Sequence, residues 1–274
     1  MTKPPSKLPL GLGFLRRIEF PHKLGVLDRI YGNALAREGI AYIRTWNRRL
    51  WRLDLSEASH RWIVYGIYEG APWLTWLMSR LHKGGVVIES GANIGQTLMY
   101  YAHLPSLRVL AFEPNPEAAD WLSECLEVNQ DLSVEVIRSG LSSHEGEIEL
   151  QLDGARSTMV DSWYRDKGFK RIQVPVIRLD AFAEDRDIKQ IAFWKLDVEG
   201  FEFEALEGAS SLLATHSIAA LMIEAIGDSY PPVKRLLERF GYRVFCIGSR
   251  GTLHLAPEQL DSFQNVVAIP ESEC

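Results

Sequence analysis

The stretch GGVVIESGANIGQTLMYYAHL, residues 84–104, decides how this chain is read. A run of β-branched and apolar residues ends in an acid, drops into a Gly-Ala-Asn-Ile-Gly turn, and continues with apolar residues at helical spacing. The pattern predicts a buried strand over 86–90 and a helix from Ile94 to about Leu104. In open sheets assembled from such units, ligands bind beyond the carboxyl ends of the strands. Gly91 and Gly95 can bring the backbone close to a ligand there, because no Cβ intervenes. Glu89 stands at the mouth of the strand, where its charge would repel a pyrophosphate and would suit a cation instead.

Working outward, the chain after Gly84 alternates strands with amphipathic helices. Strand signals fall at 107–113, 134–140, 147–153, 172–180, 191–198, 218–225, 242–248 and 265–270. Asn115 followed by Pro116 opens a helix, Pro232 opens another that Gly241 stops, and a third is expected from about Phe201 to Ala214. Such alternation implies a parallel sheet covered on both faces. The last strands lack a long intervening helix, with only GTLHLA (251–256) between them, which predicts an antiparallel edge pair. Before Gly84 the signals are mixed. Residues 40–46 and 50–55 flank Asn47-Arg48-Arg49 as a β-hairpin, and a helix follows Pro72 with Trp73, Leu74, Leu77 and Leu81 on one face. The expected division is an N-terminal segment, 1–83, and a main domain, 84–274.

Composition narrows the function classes. The chain has 274 residues, 46% hydrophobic and 24% charged, with a net charge of −6. An acidic balance argues against a nucleic-acid partner held by phosphate contacts. Three scattered cysteines, Cys125, Cys246 and Cys274, give neither a disulfide framework nor a zinc spacing and fit a reducing compartment. No window approaches the ~18 apolar residues of a membrane span. The apolar run near the start is short for a signal peptide and no small-residue cleavage site follows it, so no cleavable leader is expected. A cytoplasmic location is expected, with a membrane-surface contact through LGFLRR (12–17) left open.

The turn is shorter than the Gly-x-Gly-x-x-Gly dinucleotide fingerprint, so a nicotinamide dehydrogenase is disfavoured. S-adenosylmethionine carries a sulfonium and an ammonium group and no phosphate, which suits Glu89. Glu113, closing the next strand in AFEPNP, can accept both ribose hydroxyls, about 20 residues after the glycines. ESGANIGQT, AFEPNPEA, VPVIRLDAF and FWKLDVEGFEFEALEGA, in that order from about Tyr65 to Val267, resemble the FkbM-type family of S-adenosylmethionine-dependent methyltransferases. YGIYEG (65–70) resembles the family's approach to its first motif, whereas Ser90 stands where the family more often has Val. The resemblance implies a class I methyltransferase (Rossmann-like) doubly wound α/β sheet of seven strands with an antiparallel terminal strand, beside the small mixed N-terminal segment. It implies methylation of a hydroxyl on a sugar, glycan or secondary metabolite, with S-adenosylhomocysteine as product.

The candidate cofactor residues are Glu89, Gly91, Asn93, Gly95, Glu113 and Asp197, together with Gly140 and Leu141 after the third strand, where folds of this type meet adenine. Asp197, Glu199 and Glu224 are the candidates for a general base, which is worth about 10²–10⁴-fold. Asp197 has a competing reading as a helix cap. The three carboxylates admit a Mg²⁺ without calling for one. Lys195, in a central strand, needs an acidic partner. His144 and His254 fall near the ligand end. Trp46, Trp51, Trp62, Trp73 and Trp76 either stack on a sugar or fill the seam between the two parts. Arg44, Arg48, Arg49 and Arg52 either meet an anionic acceptor or form a solvated face. The polar stretch 154–171 is either a lid or a surface excursion. A small-molecule or carbohydrate acceptor is expected, and the oligomeric state stays open, a homodimer included. The alternative is a non-catalytic scaffold or sensor that keeps the nucleoside pocket.

Overall fold

Val86, Val87 and Ile88 offer no polar alternation, so a strand built from them has to be covered on both sides. A computed structural model of the chain describes residues 4–45, 47–69, 71–152, 170–225, 227–248, 250–260 and 264–273. In chain order the strands are β1 (Ile40–Arg44), β2 (Leu50–Asp54), β3 (Gly85–Ser90), β4 (Leu107–Phe112), β5 (Val134–Ile137), β6 (Gly140–Leu141), β7 (Gly146–Leu152), β8 (Lys170–Ile177), β9 (Phe193–Leu196), β10 (Leu221–Ala225), β11 (Tyr242–Ile247), β12 (Leu253–Leu255) and β13 (Gln264–Pro270). Eight of them form one sheet in the order β12-β11-β13-β10-β9-β3-β4-β5. β3 lies between β4 and β9, parallel to both. The chain runs outward from β3 through β4 to β5 and then returns to β9. The sheet therefore reverses its winding between β3 and β9, which opens a crevice at their carboxyl ends.

Alternate residues along each strand enter opposite layers. Val87, Val109, Phe193 and Met222 join a core that contains Leu27, Trp51, Ile63 and Leu77 of the N-terminal segment. Ile88, Leu110, Trp194 and Ile223 join the other core, with Leu179, Leu206 and Leu237. The segment before Gly84 is thus one of the two layers that cover the sheet. The β1–β2 hairpin is antiparallel, as expected. Asn129 fastens it to the main domain, accepting from the Leu50 N–H at 3.1 Å and donating to the Leu50 carbonyl at 2.8 Å.

Four expectations need correction. The helix expected from Ile94 to Leu104 contracts to a 3₁₀ turn, Leu98–Tyr100. Positive φ at Asn93 (48°) and Gly95 (90°) turns the chain away from helical geometry at its entry. The helix expected from Phe201 to Ala214 is two pieces, Glu202–Glu207 and Ser210–Ala214. It breaks at Gly208, where a Cβ would lie 2.0 Å from the Ser142 carbonyl oxygen, and Asp180 caps the second piece by accepting from Ser211 and Leu212 N–H. The strands at 147–153 and 172–180 leave the main sheet and pair as β7 and β8 in a separate three-stranded sheet with β6. Finally, β13 is antiparallel but not at the edge: it inserts between β10 and β11, and β12 takes the edge. The segment 154–171 lies almost wholly outside the described residues, as does Trp46.

Candidate active site

Strand parity assembles the site. Glu89 shares the face of Val87, Lys195 that of Phe193, and Glu224 that of Met222, so all three point toward the layer made by the N-terminal segment. Glu89 and Lys195 are direct partners in the ladder. Lys195 Nζ lies 2.6 Å from Asp197 Oδ2 and 3.9 Å from Glu89 Oε1, and its side chain is only 6% exposed. Burial alone would lower the lysine's pKa, but the charges of Asp197 and Glu89 outweigh it and raise it. Lys195 is a fixed cation tying the end of β9 to the end of β3.

Asp197 does not cap the following helix, which has no side-chain cap. Burial opposes its ionisation, yet the Lys195 ammonium and a hydrogen bond from Glu224 hold its pKa below the usual range. Glu224 moves the opposite way, raised first by burial and then by the Asp197 charge. The hydrogen bond between the two carboxyls and the Lys195 charge thus drive their pKa values apart, Asp197 down and Glu224 up. Glu199, at a φ of 52°, completes the group, and one ligand atom from each of Asp197, Glu199 and Glu224 lies within 4.8 Å of the others. The Lys195 ammonium already supplies a counter-charge inside this cluster.

Glu89 is 1% exposed, and its two oxygens accept from the Thr97 and Tyr101 hydroxyls. Burial pushes its pKa up to about 7 against the opposing pull of Lys195. Its charge is directed into the protein beside Lys195, a correction to the picture of a carboxylate facing an open ligand site. The glycines need a similar correction. A Cβ at Gly91 would fall 1.8 Å from the Asp197 carbonyl oxygen, and one at Gly95 would fall 2.8 Å from Leu122 Cδ1. The close approach they permit is to the protein's own atoms, which brings the turn against the end of β9. Gly91 and Ala92 N–H both donate to the Phe112 carbonyl, holding the turn over β4 as well. Gly140 and Leu141 form β6, paired with β8, and Leu141 is fully buried in the core instead of lining a pocket.

Glu113 is set across the turn. Its Oε2 accepts from the Asn93 N–H at 2.7 Å and its Oε1 from the Asn115 N–H at 2.8 Å. Asn115 also caps the helix Pro116–Glu127 by accepting from the Glu117 N–H. Burial pushes the Glu113 pKa up to about 7. A carboxylate oxygen accepts more than one hydrogen bond, so the fixed carboxylate still has acceptor capacity for a diol. The acidic surroundings fit a cationic nucleoside: Glu89, Glu113 and Asp197 border the turn, and the Lys195 ammonium beside it is bound to two of them.

Several residues around the site escaped the sequence reading. Thr97 and Tyr101, four apart, converge on Glu89; the spacing was visible, but their target needed the fold. Tyr68, from YGIYEG, feels Asp197, Lys195 and Glu224 and has its pKa raised chiefly by burial. Glu202 is 3% exposed and accepts from Val198 and Gly200 N–H, shaping the loop that carries Asp197 and Glu199. Ser90 accepts from the Trp194 indole N–H at 2.7 Å, which satisfies a buried donor. Other candidates lie elsewhere. His144 and His254 are exposed. Arg49 pairs with Asp131 at 2.6 Å, and Arg52 pairs with Glu124 at 3.0 Å while stacking on Trp121, so these two dock the hairpin. Arg44 donates to the Arg48 carbonyl. Trp51 and Trp76 are buried and Trp73 half-buried against the core shared by the two parts, and Trp62 is half-buried.

The family model described as "Methyltransferase FkbM domain" matches residues 89–244, more than half of the chain, and spans every residue of this cluster except Tyr68. The chain belongs to the FkbM methyltransferase family. Within that family's reach it resembles methyltransferase sdnD of Sordaria araneosa, with 29% identity over 216 residues, covering 66% of this chain and 81% of that protein. It also resembles the hexuronic acid methyltransferase AglP of Haloferax volcanii, with 28% identity over 167 residues, covering 59% of this chain and 65% of AglP, just under two thirds of its length. Among solved structures, the O-methyltransferase from Bacillus cereus in complex with SAH aligns over 93% of both chains at 13% identity and a TM-score of 0.42. In this FkbM methyltransferase the sheet order and its antiparallel β13 carry the class I arrangement that the motifs implied.

Proposed function

We propose that this FkbM methyltransferase methylates a hydroxyl oxygen of a sugar, glycan or secondary metabolite, and that it works in the reducing cytoplasm. The observation that carries the reading is the Lys195–Asp197–Glu224 cluster at the winding reversal, beside the turn that Glu113 spans. S-adenosylmethionine, when bound, supplies an electrophilic methyl group on a good leaving group. Glu113 is the group that holds its ribose diol, and the 91–95 turn fixes its place at the β3 end.

The chain's own task is then to position the acceptor and receive its proton. Positioning is worth up to about 7–11 kcal/mol. Asp197 is ionised at neutral pH, because Lys195 and Glu224 both stabilise its charge. One of its oxygens is held by Lys195, and the carboxylate takes the proton of the acceptor hydroxyl. Glu224, itself protonated, keeps Asp197 oriented. Tyr68 and the N-terminal layer wall this side of the crevice, which makes that layer the place where the acceptor is recognised. The likeness to AglP, a hexuronic acid methyltransferase, favours a uronic acid or related sugar among the acceptors to try first.

The reading routes the proton through Asp197 and needs no divalent cation; the Lys195 ammonium offsets one carboxylate of the cluster. The test is incubation of the full chain with S-adenosylmethionine and a panel of uronic acids, neutral sugars and polyketide alcohols, with and without a chelator, read by S-adenosylhomocysteine release and by product mass. Chelator-insensitive gain of a methyl group on a hydroxyl is expected. Methylation confined to nitrogen acceptors, or no turnover across the panel, contradicts the proposal.

A further inference from the structure

Charge is unevenly spread along this chain. Residues 1–37 carry seven lysines and arginines against two acids, while the remainder carries 23 against 34. Both acids of the basic segment are occupied: Glu19 pairs with Lys23 at 2.8 Å, and Asp28 with Arg61 at 2.8 Å and the Tyr65 hydroxyl at 3.0 Å. Lys7, Arg17, Arg29 and Arg37 are exposed, and among the described residues none of the four has an acidic partner.

The same segment holds most of the exposed large apolar side chains. Leu10 is 98% exposed, Phe14 69%, Ile30 58%, Val26 40% and Ile18 38%. Four of the five, Leu10, Phe14, Val26 and Ile30, lie side by side. In the helix Lys23–Glu38, Val26 and Ile30 are one turn apart and Arg29 and Arg37 flank them, while Leu27 and Leu35 face the core. The preceding segment runs antiparallel along this helix, with the Tyr31 hydroxyl donating to the Leu10 carbonyl at 3.1 Å and Lys23 Nζ to the Arg16 carbonyl at 2.9 Å. That places Leu10 and Phe14 beside the Val26–Ile30 stripe.

An exposed apolar patch of this kind marks an interaction surface. An apolar stripe bordered by unpaired cations, with Glu19 and Asp28 paired and Glu38 at the helix end the one remaining acid, matches the headgroup boundary of an anionic bilayer: apolar side chains enter the acyl edge while Lys and Arg reach the phosphates. We propose that the face formed by Leu10, Phe14, Val26 and Ile30, with Arg17, Arg29 and Arg37, docks this enzyme on an anionic lipid surface. The argument is charge complementarity: the acidic remainder of the chain is repelled by such a surface, so docking is oriented with the N-terminal layer toward the lipid. The inference is independent of the acceptor's identity.

The test is co-sedimentation of the full chain with vesicles of phosphatidylcholine alone and of an equal mixture with phosphatidylglycerol, at low and at high salt. Binding to the mixed vesicles only, weakened by salt, is expected. The charge variant R17A/R29A/R37A and the apolar variant F14S/I30S should each lower that affinity by about tenfold or more, with S-adenosylhomocysteine binding and thermal unfolding unchanged. Equal binding to both vesicle types, or no binding at low salt, overturns the proposal. So does a concentration-dependent dimer that both variants dissolve without any vesicle binding, which assigns the face to a second copy of the chain.

Discussion

Lys195 sits where a cation is expensive, and two acids hold it there. Removing its ammonium leaves Asp197 and Glu89 facing each other without compensation, so Asp197 should become harder to ionise. Lys195→Met should lower kcat at neutral pH and move the acid limb of its pH profile to higher pH, with Lys195→Arg recovering part of the loss. A lysine that only fills space would leave the profile where it was. Asp197→Asn should keep cofactor affinity and lower turnover by about 10²–10⁴-fold. Undiminished turnover moves the base elsewhere. Glu113→Ala, by contrast, should act on binding: a hydrogen bond to a charged group is worth about 1.5–3 kcal/mol, so the dissociation constant for S-adenosylhomocysteine should rise by roughly tenfold or more, as calorimetry would read directly. At this scale the sequence was informative about placement and poor about direction. That Glu113, Asp197 and Glu224 stand at or just past strand ends could be read from motif position alone. That Glu89 turns inward to Thr97 and Tyr101, and that the Cβ space at Gly91 belongs to Asp197, depends on packing that no local pattern encodes.

Elements were legible where their periodicity was undisturbed. β3, β4 and the Asn115-capped helix could be read because β-branched runs and an Asn-Pro start are local signals. The stretch after Gly95 could not, because its residues are buried on every side and the 3.6-residue pattern no longer reports a single packed face. Gly208 breaks its helix for a contact with Ser142 that is remote in sequence. The β9–helix loop is a further case, since it is held from inside by Glu202. Burial raises the Glu202 pKa from 4.5 to about 7. A raised carboxyl pKa means the folded state binds the proton more tightly. Its contribution to stability is then complete below about pH 4.5 and is lost as pH rises through about 7. Glu202→Gln keeps the acceptor oxygen and removes the titration. The variant should match the parent in thermal unfolding at pH 4 and exceed it at pH 8, by up to about 3 kcal/mol on the scale of 1.36 kcal/mol per pKa unit. Parallel stability curves for the two proteins would show that Glu202 is not the titrating group.

For the whole molecule, the family match begins at Glu89, yet the fold does not. Leu27, Trp51, Ile63 and Leu77 share one core with β3, β4 and β9, and the hairpin is bound through Asn129 and the Arg49–Asp131 pair. A chain truncated to start at Gly84 bares that sheet face and should fail to give a cooperative thermal transition, although it retains every family motif. A cooperative transition near that of the full chain would make the N-terminal layer an accessory instead of half the core. Under the proposed function the same layer would also wall the acceptor side, which would bind stability and acceptor choice together in one segment. All of this rests on the nucleoside lying over the β3 turn with its ribose on Glu113. The most direct measurement is a crystal structure of the full chain with S-adenosylhomocysteine: the account predicts the ribose diol on the Glu113 carboxylate and the sulfur directed toward Asp197, and a nucleoside in another cleft, or a Glu113 side chain turned away from it, contradicts it.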